Sequence, residues 1–355
     1  MIKKVSFKNF VAHKDLSLDN LGSVNLILGK NDTGKTAILK MLYASLSSIV
    51  LYNQRKANEE ITLKKILSEK LLTTFQPGKK GLGELVNKLE KDKLRVDIEF
   101  DHPKISFKDR LYFSYGDTTV SSIIDCQESI GSIDPTFRPI FIPAKEVLTS
   151  LKAIRATRDN LNMPGFDDTY LDLIRSLVIP TQKGKVKTEL VKVNDLLENL
   201  FEGNIVQSHD DDFIFKKGNT EYQIALTAEG VKKIGILTTL IRNRQLTPLA
   251  VLFMDEPENA LHPEAVRILV DMIFLMAKSG MQIFLATHSY FVLKQVYLSA
   301  MQTETDAFCF ILKKQKDKTV SATSHNLRES FPENEISEEA IKMADLETEL
   351  DFGLS

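Results

Sequence analysis

The stretch LILGKNDTGKTAILKMLYASL, residues 26–46, constrains the fold of this chain more than any other. Its centre, Gly29-Lys-Asn-Asp-Thr-Gly34-Lys35-Thr36, fits the phosphate-binding pattern G-x-x-x-x-G-K-[ST]. The glycines let the backbone turn so that successive N–H groups face phosphate oxygens. Lys35 is placed to reach the outer phosphates, and the Thr36 hydroxyl to ligate Mg²⁺. The context has the required order. VNLIL (24–28) reads as a buried strand, and from Thr36 to Val50 apolar residues recur at helical spacing. The helix N-terminus adds its partial positive charge. The candidate contacts to a nucleotide are therefore Gly29, Asn31, Asp32, Thr33, Gly34, Lys35, Thr36 and Ala37.

A second constellation lies far along the chain, in AVLFMDEPENALHPEA. An apolar strand, Val251 to Met254, ends in the adjacent carboxylates Asp255 and Glu256. Two like charges at the end of a buried strand repel and call for a cation. Asp255 is the candidate Mg²⁺ group beside Thr36, and Glu256 the candidate general base for an attacking water. About thirty residues on, QIFLATHSYF repeats the pattern, and an apolar strand ends in Thr287-His288-Ser289. His288 leaves a parallel strand at its C-terminal edge, where such sheets bind ligands, and is the second candidate catalytic residue. His13, His102, His209 and His325 have no such context and read as structural.

With 355 residues, 43% hydrophobic and 26% charged, the chain suits one large or two medium domains with a sizeable core. A net charge of −2 excludes a global basic field, so any nucleic-acid contact is confined to local patches. Cys126 and Cys309 fit no metal spacing and read as reduced thiols. No apolar run approaches the ~20 residues of a membrane span, and the alternating MIKKVSFKNF reads as a strand rather than a signal peptide. A cytoplasmic protein without membrane contact is expected.

Along the chain, a strand pair precedes the phosphate loop. A lysine-rich helical segment, 52–92, is broken at QPGKKGLG and reads as a solvated helix face. LRVDIEFD, RLYFSYG and SSIID alternate like antiparallel strands, and RPIFIPA adds another. Residues 146–200 turn helical, 204–226 read as a β-meander, and the last third alternates strand and helix, which implies a parallel sheet. An acidic tail follows Arg328. Acids interleave there with Ile336, Ile341, Met343, Leu346, Leu350 and Phe352, a pattern for a short amphipathic helix.

These motifs resemble the ABC-class P-loop ATPases, and within them the overcoming-lysogenization-defect ATPases and their AAA-type bacterial relatives. The resemblance rests on KKVSFKNF, the phosphate loop, FMDEPENALHP and LATHS, and spans nearly the whole chain. It implies an α/β fold: an ABC-type head with a mixed, largely parallel core sheet, an antiparallel β-subdomain and helical insertions. It further implies ATP and Mg²⁺ as ligands and a homodimer or higher homo-oligomer. The expected division is an ATPase core of 1–146 and 201–327, a helical insertion of 147–200 and a tail of 328–355. By the same resemblance Asn259 to His262 form the D-loop and His288 is the histidine switch. The signature segment that reaches a partner's ATP corresponds to LTAEGVKKIGIL, with Thr227, Gly230 and Lys232 or Lys233 as its contacts. It departs from the LSGGQ form. The glutamine that ligates metal in the family has no match; Glu146, beside Lys145, takes its place, with Gln127 the alternative.

Two features of the relatives are missing. About 65 residues follow His288, too few for the Toprim nuclease domain that many of these ATPases carry, and there is no long coiled-coil arm. The Asp-x-Asp of HDDDF (209–213) reads as a solvated turn. The expectation is an ATP-driven dimeric switch controlling a separately encoded effector, a nuclease or toxin, in bacterial anti-phage defence; the defence role comes from the resemblance alone. A DNA-repair or DNA-clamping ATPase, a transporter subunit and an ATP-bound scaffold without turnover are the competing functions. The two departures count against the transporter, and Glu256 against the scaffold.

Overall fold

Strands apolar along their whole length must be covered on both faces, and three such strands set the centre of this protein. The computed structural model describes residues 1–56, 60–89, 92–100, 109–128, 133–161, 163–180, 188–208, 212–317 and 319–352. His102, residues 209–211 of the HDDDF turn and most of 179–185 lie outside them. The central strands are β3 (Val24–Gly29), β11 (Ala250–Asp255) and β12 (Gln282–Thr287), in which every residue is buried. With β7 (Arg138–Ile142), β13 (Ala307–Lys314) and β14 (Val320–Asn326) they form a six-stranded sheet in the order β14-β13-β3-β12-β11-β7. All pairs are parallel except β13–β14.

One face of this sheet carries α1 (Lys35–Arg55) and, beyond it, an antiparallel sheet in the order β2-β1-β4-β5-β6. Its strands are β1 (Ile2–Phe10), β2 (His13–Leu18), β4 (Leu94–Phe100), β5 (Asp109–Tyr115) and β6 (Asp125–Glu128). Here burial alternates, as a sheet wet on one side requires: Val5, Phe7, Leu16, Leu18, Val96 and Ile98 point to the core. Between the layers Phe141, Phe253 and Phe284 stack, with ring centroids 6.4 and 5.2 Å apart, and Tyr43 of α1 meets Phe141 and Phe253 edge-on. The opposite face is covered by α5 (Thr188–Phe201), α6 (Glu229–Arg242), α7 (Pro263–Lys278) and α8 (Tyr290–Thr303). A three-stranded meander, β8 (Asn204–Gln207), β9 (Phe213–Lys217) and β10 (Thr220–Gln223), packs on α6, where Gly235 leaves room for Ile205.

The connections differ from expectation in two places. SSIID is not a strand; β6 begins at Asp125, because Ile123 is drawn inward and its amide donates to Ser68 Oγ at 3.1 Å. The lysine-rich segment is not solvated throughout. Its helix α2 (Leu63–Phe75) buries Lys70 against Asp168 and Asp172 of α4 (Asp168–Leu177), with α3 (Leu151–Arg155) alongside. Burial opposes that ammonium's charge, but the two aspartates outweigh it and raise the pKa. The tail forms α9 (Glu335–Asp351), packed only near its start. Among the described residues no helix is long and apolar enough to cross a membrane.

His13 lies under the phosphate loop. A Cβ on Gly34, which sits at φ +84°, would come within 2.6 Å of His13 Nε2. Burial, partly offset by the Val320 backbone, holds the imidazole down to about 4. The folded pKa is thus below the unfolded value, so the neutral ring favours folding above pH 6.5 and that advantage is lost as pH falls from 6.5 to 4. His13→Phe should flatten the pH dependence of stability across that window by about 3 kcal/mol relative to the parent, read by urea unfolding. Gly34→Ala should cost at least ~1–2 kcal/mol from its left-handed backbone, and more from the imidazole contact. The cost should shrink in a His13→Ala background; an unchanged cost in that double-mutant cycle would rule out the contact.

Candidate nucleotide-binding site

Strand register brings the two distant motifs together. Asp255 pairs with Ala286 and Leu28 with Thr287, so β3, β11 and β12 end at one edge of the sheet. Gly29 closes β3 against Leu312 O, too near for a side chain: a Cβ there would stand 2.9 Å from that oxygen and 2.8 Å from Thr33 Oγ1. The loop then turns through Asp32, at φ +64°, and Gly34, and α1 begins at Lys35. Thr33 Oγ1 donates to Lys30 O at 2.8 Å, and Asp32 is held by Lys314 at 2.9 Å. That ammonium keeps the Asp32 carboxyl below its usual range. Lys35 is buried and donates to Gly29 O at 2.7 Å and Lys30 O at 3.0 Å. Burial lowers its pKa, against the pull of Glu256, Asp255 and Glu258.

Across the edge, Thr36 Oγ1 lies 3.0 and 2.9 Å from the two carboxylate oxygens of Asp255. Burial raises the pKa of Asp255, and the Thr36 hydrogen bond works against it. A hydroxyl and a carboxylate side by side, with lysines near, form a donor set suited to Mg²⁺, which takes one or two protein oxygens and fills its remaining positions with phosphate and water.

Glu256 follows at φ +46°, its amide donating to Ala286 O at 2.8 Å. The turn swings its carboxylate outward, where Oε1 lies 3.4 Å from His288 Nδ1 and Oε2 accepts from Asn259 Nδ2 at 2.7 Å. Asn259 belongs to the expected D-loop, and in this chain it orients the carboxylate beside it. His262 caps α7, its Nδ1 accepting from Glu264 N at 3.3 Å, and Pro263 follows at the first turn. Behind this group Glu258 accepts from Thr287 Oγ1 at 2.5 Å.

The remaining candidates are placed differently. Glu146 gives its carboxylate to the amides of Leu148 and Thr149, the free N–H groups at the entry to α3. That use explains an acid at this position without a metal. Gln127 lies on β6 in the other sheet, exposed. In the signature segment Thr227 is half-buried, its hydroxyl returning to Gln223 O at 3.1 Å, and Gly230 is buried in the first turn of α6. Lys232 points inward to Thr149 Oγ1 at 3.0 Å and Glu229 Oε1 at 2.8 Å, so its ammonium is committed within the chain and does not reach outward.

Lys233 was legible only as an alternative to Lys232, and its placement was not. It crosses from α6 to donate to Glu256 O at 2.7 Å. Burial drives its pKa to about 8, even against Glu258, Glu256 and Asp255. Also unanticipated are Lys40 on Asp167 at 2.5 Å and Tyr43 Oη on Asp172 at 2.6 Å, which tie α1 to the helical insertion. Partners some 130 positions apart leave no mark in a local pattern. Asp212, the described acid of the HDDDF turn, pairs with Lys152 at 2.5 Å, and no cluster of metal-binding side chains occurs among the described residues.

Known proteins resemble this chain in part of its sequence and in its fold. An uncharacterised protein of Methanocaldococcus jannaschii is 38% identical over 101 residues, 28% of this chain and 42% of that protein, so the match spans less than half of the relative's length. An Smc head solved with the C-winged helix domain of ScpA superposes at a TM-score of 0.55 with 13% identity, over 92% of this chain and 98% of that one. A second Smc head, with an extended coiled coil and bound to the C-terminal domain of ScpA derived from Pyrococcus furiosus, gives 0.51 at 13% identity over 97% and 98%. At such identity the likeness is one of fold: the ABC-class α/β head. The family model described as "AAA domain, putative AbiEii toxin, Type IV TA system" matches residues 24–294, from the first residue of β3 into α8. The chain belongs to this family of AAA ATPase domains.

Proposed function

We propose that this chain binds ATP with Mg²⁺ at the edge of β3 and β11, hydrolyses it, and works as a homodimeric switch on a separately encoded effector. The observation that carries the reading is the pairing of Thr36 with both oxygens of Asp255, next to a Glu256 held between His288 and Asn259. Loop amides from Asn31 to Ala37 and the α1 N-terminus receive the phosphates, and Lys35 turns from the loop carbonyls to the outer phosphate oxygens. Thr36 and Asp255 would hold Mg²⁺, which would neutralise phosphate charge. Glu256 takes a proton from the attacking water as the water oxygen bonds to the γ-phosphorus and the bond from that phosphorus to the β,γ-bridging oxygen breaks, with ADP as the leaving group; His288 steadies the carboxylate and donates to the γ-phosphate. Lys233 fixes the backbone from which Glu256 projects.

In this reading 1–146 and 201–327 form the ATPase core and 147–200 a helical insertion. Dimerisation presents Thr227 and the α6 N-terminus of one protomer to the nucleotide of the other. Leu226, 84% exposed beside Thr227, suits burial in that interface. Both solved Smc heads are described in complex with a separate protein, which supports a partner for this head as well. The effector being a nuclease in anti-phage defence is the finest step of the reading, and the toxin–antitoxin wording of the family description is in keeping with it.

Lys35→Ala should abolish most ATP affinity in isothermal titration; parental affinity would mean that the nucleotide sits elsewhere. Glu256→Gln should bind Mg-ATP but release phosphate at least ~10²-fold more slowly, and should accumulate as a dimer by light scattering with ATP. Normal turnover together with an unchanged monomer would overturn both roles. Purified alone, the chain should turn over ATP and leave DNA and RNA intact on gels.

A further inference from the structure

The C-terminal helix α9 is held at one end and bare along the rest. Asn334 caps it, with Oδ1 accepting from Ile336 N at 3.1 Å and Ser337 N at 2.9 Å. Ile336 packs on the core, and Glu335 pairs with Lys30 of the phosphate loop at 3.2 Å. Beyond that first turn Ile341, Met343, Leu346, Leu350 and Phe352 are 56 to 75% exposed. Met343, Leu346 and Leu350 share one face, whereas Ile341 and Phe352 lie on the other. Ile336, Met343 and Leu350 recur every seven residues, with Leu346 three past Met343, which is the narrow seam of a two-stranded coiled coil. Glu339 fills the remaining seam position, and the flanking positions hold Glu335, Glu347 and Glu349 against a single lysine, Lys342. The whole helix carries seven acids and that one lysine.

The geometry points to α9 as the docking helix for a second protein that offers a helix with an apolar seam flanked by lysine or arginine. This rests on the proposed control of a separate effector and names the surface through which it acts. Charge decides among the occupants. Two copies of α9 would bring together helices that each carry seven acids and one lysine, and that net like charge opposes their pairing. Elsewhere among the described residues, the helices that expose several apolar side chains are α5, with three acids and one lysine, and α8, whose single Lys294 lies over the Phe331 ring. Neither offers a second copy the basic flanks α9 calls for. An acidic helix is likewise repelled by nucleic acid and by anionic lipid. A basic helix buries the seam and neutralises its flanks at once, and α9 is already ordered to receive it.

The test uses the full chain and three fluorescent 21-residue peptides, read by anisotropy. One carries leucines at seam positions with lysine flanks, one the same seam with glutamate flanks, and one a scramble of the first. The lysine-flanked peptide should bind at least tenfold more tightly than either control, and more weakly as salt rises. Replacing Met343, Leu346 and Leu350 together by Gln, which keeps helix propensity, should weaken that binding at least tenfold without changing ATP turnover. Equal binding of all three peptides, or parental affinity in the triple variant, would overturn the inference. So would nucleotide-free self-association abolished by the triple variant, since the seam would then serve a second copy. Peptide binding without ATP turnover would refute the switch alone; turnover and a closed Glu256→Gln dimer without peptide binding would refute the docking helix alone.

Discussion

The chemistry of this protein hangs on where three buried strands end. Because β3, β12 and β11 are neighbours in a parallel sheet, Gly29, Thr287 and Asp255 leave it at one edge, and residues 219 positions apart meet as Thr36 and Asp255. Apolar side chains set that register, since a one-residue slip in a sheet turns every side chain to its opposite face. Once it is set, electrostatics follow. Asp255, Glu256 and Glu258 stand close together in a partly dry site, and their mutual repulsion must be met by cations. Lys35 and Lys233 answer from opposite sides, both with pKa values lowered by burial. Two half-desolvated lysines thus face three carboxylates at one edge of the sheet.

Much of this was legible in the sequence because the determinants are local. GKNDTGKT carries its own backbone geometry, and FMDEPENALHP and LATHS announce apolar strands that end in polar groups. The alternation of strand and helix gave the parallel sheet. What escaped depends on contacts between distant segments. Nothing around Lys233 says that it crosses to Glu256 O rather than pointing outward, and nothing around Glu146 says that its carboxylate closes on the next two amides but one. Lys70 sits in a run of lysines that pattern assigns to solvent. Only the aspartates of α4, about a hundred positions on, make its burial tolerable. SSIID alternates like a strand, yet Ser68 claims the Ile123 amide first.

The two sides of the phosphate loop are tied to the rest of the molecule in unequal ways. On one side α1 and α2 are clamped to the helical insertion: Lys40 and Tyr43 of α1 to Asp167 and Asp172, and Lys70 of α2 to Asp172 and Asp168, the latter also held by Arg158 of the insertion. Removing one partner from such a partly buried group strands a charge, which costs several times what an exposed pair is worth. A shift of α1 on nucleotide binding therefore carries α4 with it. On the other side Lys30 meets Glu335 in the open, a contact of the kind that contributes little and yields to salt. The phosphate loop thus has one strong ionic attachment and one weak one. The weak contact lies at the first turn of α9, which Ile336 also packs on the core, so salt that removes the ion pair leaves the helix anchored and its apolar seam beyond that turn still open.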